Sequence, residues 1–371
     1  MSLKATKLIL TMNDSDRCKN GIINVSDTTA AEEYLYTPIE DLFFTVVLPY
    51  VVFVGVSANS AFIFTIIRVK EMQTITNAYV TNVAVADLIF VGVSCSLYIT
   101  SYSMTSVRKD VMFTTMAGCF CSWLLTCVTY FASLFIITLV IAEKYFAICH
   151  PLQHLIVSSK KRTTRLIIAS WILGIAFGVG ATLRYATLHQ ICVIWPDTDA
   201  YDSMPLVIQE CTARHPMQRM FSDSIQIYPF IVVLVSNIFM YARIIFALSS
   251  RPIGNEEMGI ASATSQSAQA LRVRNQVARL LIINGVIFFA CQTPYRLIPA
   301  HSFWETATGR AFLTETQYGG MAVISRCLVL INSCINPFIY YTTSAYYRNG
   351  FHRAFCRRED KKKIVNTLHT S

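Results

Sequence analysis

The chain has 371 residues, of which 54% are hydrophobic and 14% are charged, and its formal net charge is +9. Soluble domains carry about 45–50% apolar and about 25% charged residues, so this composition excludes an ordinary soluble protein. The basic residues flank apolar stretches, which indicates a membrane anchor and excludes a nucleic-acid-binding protein.

Residues 1–41 form a polar segment ahead of the first apolar stretch. Asn13 and Asn24 each lie two residues before a serine, in the acceptor pattern for N-linked glycosylation. Because glycans are added on the extracellular side, both patterns predict an extracellular N-terminal tail.

Seven long apolar stretches follow, each near or above the ~20 residues that a spanning helix requires. They cover roughly residues 42–67, 76–100, 116–142, 164–183, 224–248, 277–299 and 318–341. Lysine and arginine are concentrated in the loops of one side, whereas aspartate and glutamate predominate on the other side. The sequence therefore predicts a multi-pass plasma-membrane protein with an extracellular N-terminus and a cytoplasmic C-terminus. The predicted fold is all-α, a bundle of seven transmembrane helices over residues 42–342.

The long outer loop, residues 185–222, alternates apolar and polar residues on either side of Pro196 and predicts a two-stranded hairpin. This loop carries Cys192 and Cys211, and Cys119 lies at the outer start of the third stretch. Extracellular cysteines are free to oxidise, so we predict a bridge from Cys119 to one of these two residues.

After the seventh stretch, residues 343–357 place aromatic residues four apart with basic residues between them. This pattern predicts a short amphipathic helix on the inner leaflet of the lipid bilayer. Cys356 at its end is either a palmitoylation site or an unmodified cysteine. Residues 358–371 are predicted to form a cytoplasmic tail.

Polar and helix-breaking residues recur inside the apolar stretches, where lipid offers them no partners. Asp87 is an isolated carboxylate in the second stretch, and Asn336-Pro337 interrupts the seventh. The set, in chain order, is Asn59, Asp87, Glu143-Lys144-Tyr145, Trp171, Pro229, Pro294 and Asn336-Pro337 followed by Tyr340. Over about residues 40–356, this ordered set resembles the rhodopsin-like (class A) G-protein-coupled receptors.

The resemblance implies a receptor, not an enzyme, that binds an extracellular ligand and activates a heterotrimeric G protein, with arrestin as a further partner. It implies that the coupling and switch residues are Glu143, Lys144, Tyr145, Pro294, Asn336, Pro337 and Tyr340. Three positions depart from the family. Lys144 stands where the family has arginine, Gln292 where it usually has tryptophan, and Asn237 where it usually has tyrosine.

The resemblance also implies a disulfide and a cation site. It selects Cys211 as the partner of Cys119, because Cys211 lies in the second strand of the hairpin at the family's distance from Pro229. The polar residues implied to surround a sodium ion are Asp87, Asn59, Ser133, Asn332, Ser333 and Asn336. The alternative is a protonated Asp87 in a hydrogen-bonded core, and no other cofactor is expected.

Two ligand classes are excluded by missing chemistry. Retinal requires a Schiff-base lysine, and the matching position is Leu330. Amines require a carboxylate in the outer third stretch, and the aligned position is Thr126.

Two arginines lie deep in the outer half of the predicted bundle, at Arg296 and Arg326. Their surroundings resemble thyrotropin-releasing hormone receptors and related neuropeptide receptors, in which such arginines contact a small amidated peptide. Cys127 and Phe131 depart from the residues that hold the hormone there. The predicted ligand-binding residues are Arg326, Arg296, Thr126, Cys127 and Tyr295. The alternative is that the arginines pair with Glu305 or Glu315 at the outer rim.

The favoured interpretation is a receptor for a neuropeptide. A seven-span transporter would require repeated halves or several charges along a path, and the sequence contains neither. A weakly coupling or decoy receptor of the same fold stays open, because Lys144, Gln292 and Asn237 all fall in signalling motifs.

Overall fold

The computed structural model describes residues 21–108, 110–249 and 263–356, with the side chains of all but residues 249, 263–279, 281, 315 and 316. Seven long helices, named span one to span seven in chain order, form the bundle. Their bounds are Pro38–Arg68, Ile75–Met104, Met116–Cys149, Lys160–Tyr185, Pro216–Ser249, Ala263–Thr308 and Glu315–Thr343. Among the described residues, six of these helices are long and apolar enough to cross a membrane. Span six completes the bundle by packing against spans five and seven.

Prolines mark both the start and the interior of several spans. Span one begins at Pro38, where Thr37 and Glu40 form a reciprocal capping box. Pro229, Pro294 and Pro337 lie inside spans five, six and seven, and each removes one backbone hydrogen bond from its helix. These positions are therefore the ones at which the helices bend most easily.

Span three is the centre of the bundle and packs against spans two, four and five. Close approach of span four depends on Gly178, because a Cβ atom there would lie only 3.0 Å from the backbone nitrogen of Val128. Phe131, Leu134 and Ile136 of span three are fully buried in the same core.

The predicted hairpin is confirmed, with strands β2 (Thr187–Ile194) and β3 (Val207–Thr212) pairing antiparallel. The structure adds a third strand that the sequence pattern did not predict. Strand β1 (Ile22–Asn24) pairs in parallel with β2, with Ile22 opposite Cys192. The N-terminal tail thus joins the hairpin in one sheet.

Residues 21–36 and 187–212, here named the outer cap, share a small hydrophobic core with Val107 of the first outer loop. Trp195 is 4% exposed, stacks on Tyr201, and donates its indole N–H to the carbonyl oxygen of Pro205 at 2.9 Å. The Cys119–Cys211 disulfide fastens β3 to the outer end of span three, as predicted.

Two short helices lie at the inner ends of the spans. The inner-loop helix (Pro151–Val157) follows span three, and the surface helix (Ala345–Phe355) follows span seven. The surface helix is docked by Tyr347, whose buried hydroxyl donates to Oδ1 of Asn77 at 2.6 Å. Cys356 is exposed at its end. The predicted glycosylation site Asn13 and the predicted tail 358–371 lie outside the described residues.

Candidate functional site

A cavity runs into the bundle between spans two, three, six and seven, and its empty space together with the open solvent at its mouth amounts to about 990 Å³. All five predicted ligand-binding residues line it: Arg326, Arg296, Thr126, Cys127 and Tyr295. Aromatic rings form much of its wall, and Trp123 stacks on Tyr185 with ring centroids 4.3 Å apart. The cavity is apolar in its walls and polar at a few points, which is the usual character of a ligand site.

Arg296 is the most buried cation of the cavity, at 7% exposure. Its guanidinium carbon lies 4.1 Å from the ring centre of Tyr130 and 4.8 Å from that of Tyr295. These are cation–π contacts, which attract the charge but accept no conventional hydrogen bond from its N–H groups. The Nε atom of Arg296 has no hydrogen-bond partner among the described residues.

Arg326 lies across the cavity on span seven, half-buried, with its guanidinium carbon 5.8 Å from the ring centre of Tyr98. The alternative partner Glu305 pairs with Arg219 instead, at 3.9 Å. The side chain of Glu315 is outside the described part of the chain. Both candidate ligand-contacting arginines therefore face the cavity.

Gln292 is one of the buried polar residues that line the cavity. It lines the cavity where the family usually has tryptophan, is 4% exposed, and its Oε1 has no partner among the described residues. A glutamine side chain is smaller than an indole, so less of the space below Arg296 is filled. The same cavity also reaches Asp87.

Asp87 is 4% exposed, and its Oδ2 accepts a hydrogen bond of 2.8 Å from Nδ2 of Asn336. Ser133, Asn332 and Ser333 line the cavity with it. Asn59 reaches this cluster indirectly, because its Nδ2 donates to the backbone oxygen of Ser333 at 2.9 Å.

This donor set fits a hard cation, since it offers a carboxylate, hydroxyl groups and amide oxygens. The buried Oδ1 of Asn332 has no partner among the described residues and so retains the capacity to bind one.

The inner ends of the spans hold the predicted coupling residues. Oε1 of Glu143 lies 2.7 Å from Nε2 of His154 and accepts a hydrogen bond of 3.1 Å from Ser158. Lys144 donates to Oγ1 of Thr76 at 2.7 Å. Glu143 thus connects span three to the inner-loop helix, and Lys144 connects span three to span two.

Tyr145, the third residue of this motif, points toward the inner-loop helix. Its hydroxyl lies 3.2 Å from Nε2 of His150. Pro294 and Pro337 stand inside their helices, and Pro294 is flanked by Gln292, Tyr295 and Arg296 of the cavity lining. The predicted switch residues are therefore spread over two regions, the cavity floor and the inner ends.

Asn284 is a polar residue of span six that our sequence interpretation missed. It is 5% exposed, and its Nδ2 donates to the hydroxyl of Tyr340 at 3.3 Å. The Tyr340 ring also stacks on Tyr347 at 5.3 Å. A lone asparagine within an apolar stretch is the signal that indicates such a contact.

The structure also shows the contacts of Asn237, the residue of span five that departs from the family, and of its neighbour Tyr241. Asn237 is fully buried and donates to Oγ1 of Thr138 at 3.1 Å, so it binds span three. Tyr241, one turn further in, packs its hydroxyl against Gly285 of span six, where an added methyl group would collide with it.

Residues 58–340 match the family model of the 7 transmembrane receptor (rhodopsin family). The chain therefore belongs to this family, which is a receptor family rather than an enzyme family, and its fold is the seven-helix bundle.

Among its relatives, it is 26% identical to galanin receptor 2a of Danio rerio, over 90% of this chain and 83% of that protein. It is 26% identical to the thyrotropin-releasing hormone receptor of Gallus gallus, over 84% of this chain and 78% of that protein. It is 24% identical to the neuropeptide CCHamide-1 receptor of Drosophila melanogaster, over 85% and 61% respectively. The predicted likeness to neuropeptide receptors is thereby confirmed.

Proposed function

We propose that this chain is a plasma-membrane receptor that binds an extracellular peptide in the cavity between its spans and activates a heterotrimeric G protein. The observation that carries the proposal is the pair Arg296 and Arg326, which face one aromatic cavity without a carboxylate partner among the described side chains. Peptides carry carbonyl and carboxylate groups that such arginines bind. Its relatives are receptors for galanin, CCHamide-1 and thyrotropin-releasing hormone.

Signalling requires that ligand contacts at the cavity shift the packing of the inner ends. Tyr295 and Arg296 follow directly after Pro294, so a ligand that binds them acts on the bend of span six. The same helix holds Tyr340 through Asn284. Movement of span six thus reaches the Asn336-Pro337 segment and the inner face, where the G protein and arrestin bind.

We propose the orientation that the basic loops indicate, with the outer cap extracellular and the surface helix on the inner leaflet. Lys160, Lys161 and Arg162 begin span four on that inner side. Asp87, Ser133, Asn332, Ser333 and Asn336 would hold a sodium ion, which would neutralise the carboxylate and stabilise the resting packing.

The test is a panel of synthetic peptides applied to cells that express the chain, with G-protein dissociation as the readout. The panel includes galanin, CCHamide-1 and thyrotropin-releasing hormone, each as the free acid and as the amide. At least one peptide should activate the G protein in these cells and not in untransfected cells. If surface expression is normal and no peptide of a broad library binds, the peptide proposal is wrong.

A weakly coupling receptor is a second candidate, favoured by Lys144. A lysine ammonium is a point charge and lacks the planar fork with which arginine makes several hydrogen bonds at once. If coupling is weakened at this residue, Lys144→Arg should raise agonist-stimulated G-protein activation several-fold at equal surface expression. An unchanged or lower response would exclude this explanation.

A further inference from the structure

Within the described part of the chain, the positive charge in the outer half of the cavity has no carboxylate partner there. Arg296 and Arg326 both line it, and the carboxylate that lines it is Asp87, among the side chains that the structure describes. Asp87 binds Asn336, which lies ten residues after Arg326 on span seven, or about 15 Å along the helix axis. Asp87 therefore belongs to the floor and does not pair with the arginines.

Several carboxylates of the outer half already have other cationic partners. The pairs are Arg108 with Glu40 at 3.5 Å, Arg184 with Asp223, and Arg219 with Glu305 at 3.9 Å. Asp223 is fully buried and also accepts a hydrogen bond of 2.6 Å from Ser302. These side chains are held away from Arg296 and Arg326 by their own contacts.

The aromatic neighbours of the two arginines do not supply an anion. Tyr98, Tyr130 and Tyr295 offer ring faces, which attract a cation without neutralising it. Tyr36 packs on Phe44 at the mouth of the cavity, and burial raises the pKa of Tyr36 to about 12. Its phenol therefore stays neutral at physiological pH.

Two cations in one cavity repel each other, and the cost of removing each from water is only partly recovered. A carboxylate would reduce both the repulsion and the desolvation cost. It carries a full negative charge and accepts hydrogen bonds from two parallel N–H groups of a guanidinium. A neutral amide compensates the arginines less, because it offers one carbonyl dipole and no net charge. Arg296 is only 7% exposed, and its Nε has no hydrogen-bond partner among the described residues. This N–H group is therefore available to donate to a ligand carboxylate.

We propose that the ligand presents a carboxylate to Arg296 and Arg326, so that this receptor binds a free acid in preference to the corresponding amide. The inference rests on the proposed function as a peptide receptor and names the ligand group that the cavity selects. The C-terminal carboxylate of a peptide and an acidic side chain both supply this chemistry.

The test uses three small probes with the purified receptor in lipid nanodiscs. They are N-acetylphenylalanine, its α-amide, and N-acetylglutamic acid α-amide, at matched millimolar concentrations. The first two share their ring and backbone and differ in the carboxylate. The third carries its carboxylate on a side chain, so it separates the two sources. Binding is measured as the rise in the thermal unfolding midpoint and as a dissociation constant from titration.

N-acetylphenylalanine should bind about tenfold more tightly than its amide, because a charge-assisted hydrogen bond is stronger than a neutral one, and tenfold in the dissociation constant corresponds to about 1.4 kcal/mol. Arg326→Gln and Arg296→Gln should each remove most of this preference. Arg310→Gln, which alters an exposed outer arginine, should retain it. A dissociation constant for the glutamate probe equal to that of N-acetylphenylalanine assigns the site to acidic side chains as well as to C-termini.

Equal binding of acid and amide, including no binding of either, overturns the inference. Preference for the acid that persists in both arginine variants also overturns it. The wild-type comparison needs no mutant, so a variant that fails to fold does not decide the outcome. If amidated peptides activate the receptor more strongly than the corresponding free-acid peptides, the peptide function stands and the carboxylate preference alone is refuted.

Discussion

Arg296 is the residue whose surroundings say most about the ligand of this receptor. A guanidinium stays charged at all physiological pH values, and burying it costs several kcal/mol unless partners compensate. The rings of Tyr130 and Tyr295 contribute roughly 0.5–2 kcal/mol each. Its Nε has no acceptor within the described part of the chain. Under the proposed function, a bound ligand supplies the remaining stabilisation.

Arg326 provides the direct test of ligand contact. Arg326→Ala should weaken the potency of a peptide agonist by about ten- to a hundredfold, because a charge-assisted hydrogen bond contributes roughly 1.5–3 kcal/mol. Arg326→Lys should recover little of the loss, since an ammonium does not reproduce the bidentate fork. Potency is measured from G-protein dissociation curves.

Surface expression decides whether this result concerns binding or folding. Both Arg326 variants should reach the cell surface at near wild-type levels, and Arg310→Ala should leave potency unchanged because Arg310 is exposed outside the cavity. Unchanged potency in Arg326→Ala, or loss of both variants from the surface, would show that Arg326 is structural.

At the scale of secondary-structure elements, the spans and the hairpin were predictable because their signals are local. Length and apolar content identify a span, and alternation identifies strands β2 and β3. Strand β1 was not predictable, because three residues, Ile22–Asn24, carry no period and pair through tertiary contacts. Span three also extends to Cys149, beyond the apolar stretch that ends near residue 142.

The same distinction applies to the candidate site. The placement of Asp87 beside Asn336 followed from the resemblance to the family. The contacts of Arg296 with Tyr130 and of Arg326 with Tyr98 depend on how each helix is rotated about its axis. A pattern along one helix does not determine which residue of a neighbouring helix it meets, so those partners required the structure.

Removing the Cys119–Cys211 disulfide tests how strongly this bridge holds the outer cap on the bundle. Cys211→Ser should lower the thermal stability of the purified receptor, because a native bridge typically contributes about 2–4 kcal/mol. Cys119→Ser should have the same effect, and the double variant should be no worse than either single one. Stability is measured by thermal unfolding, alongside surface expression.

Cys121 is the matched control, because it is exposed, unbridged and two residues from Cys119. Cys121→Ser should behave as wild type. Additive losses in the double Cys119→Ser/Cys211→Ser variant would show that the two cysteines act separately and would contradict a shared bridge.

At the scale of the whole molecule, orientation is tested by Asn24. Its side chain is exposed in β1, at the surface of the outer cap. If the cap is extracellular, Asn24 carries a glycan, and Asn24→Gln or Ser26→Ala should increase electrophoretic mobility. Thr28→Ala, outside the acceptor tripeptide, should not. A glycosidase-resistant mobility that is identical in all four chains would refute this extracellular site.

One cavity is lined both by the candidate ligand residues and by Asp87, so a cation bound at Asp87 would act on the same bundle packing as a ligand. A sodium ion held by Asp87 and Ser133 would favour the resting packing, and by linkage the ion and an agonist would oppose each other equally. Allosteric coupling of this kind typically amounts to about 1–3 kcal/mol. The ion-binding groups and the agonist-binding arginines would thus communicate through the packing of spans two, six and seven.

Agonist affinity should therefore be several-fold lower in sodium chloride than in N-methylglucamine chloride of equal ionic strength, measured by equilibrium binding to membranes. Asp87→Asn should abolish the difference, because the amide removes the charge that holds the ion. Asp110→Asn is the control, since Asp110 lies in the first outer loop and accepts a backbone hydrogen bond from Gln209. It should keep the sodium dependence. Dependence that persists in Asp87→Asn, or that is absent from the wild type, would mean that the polar residues around Asp87 bind no sodium and serve only as a hydrogen-bonded core.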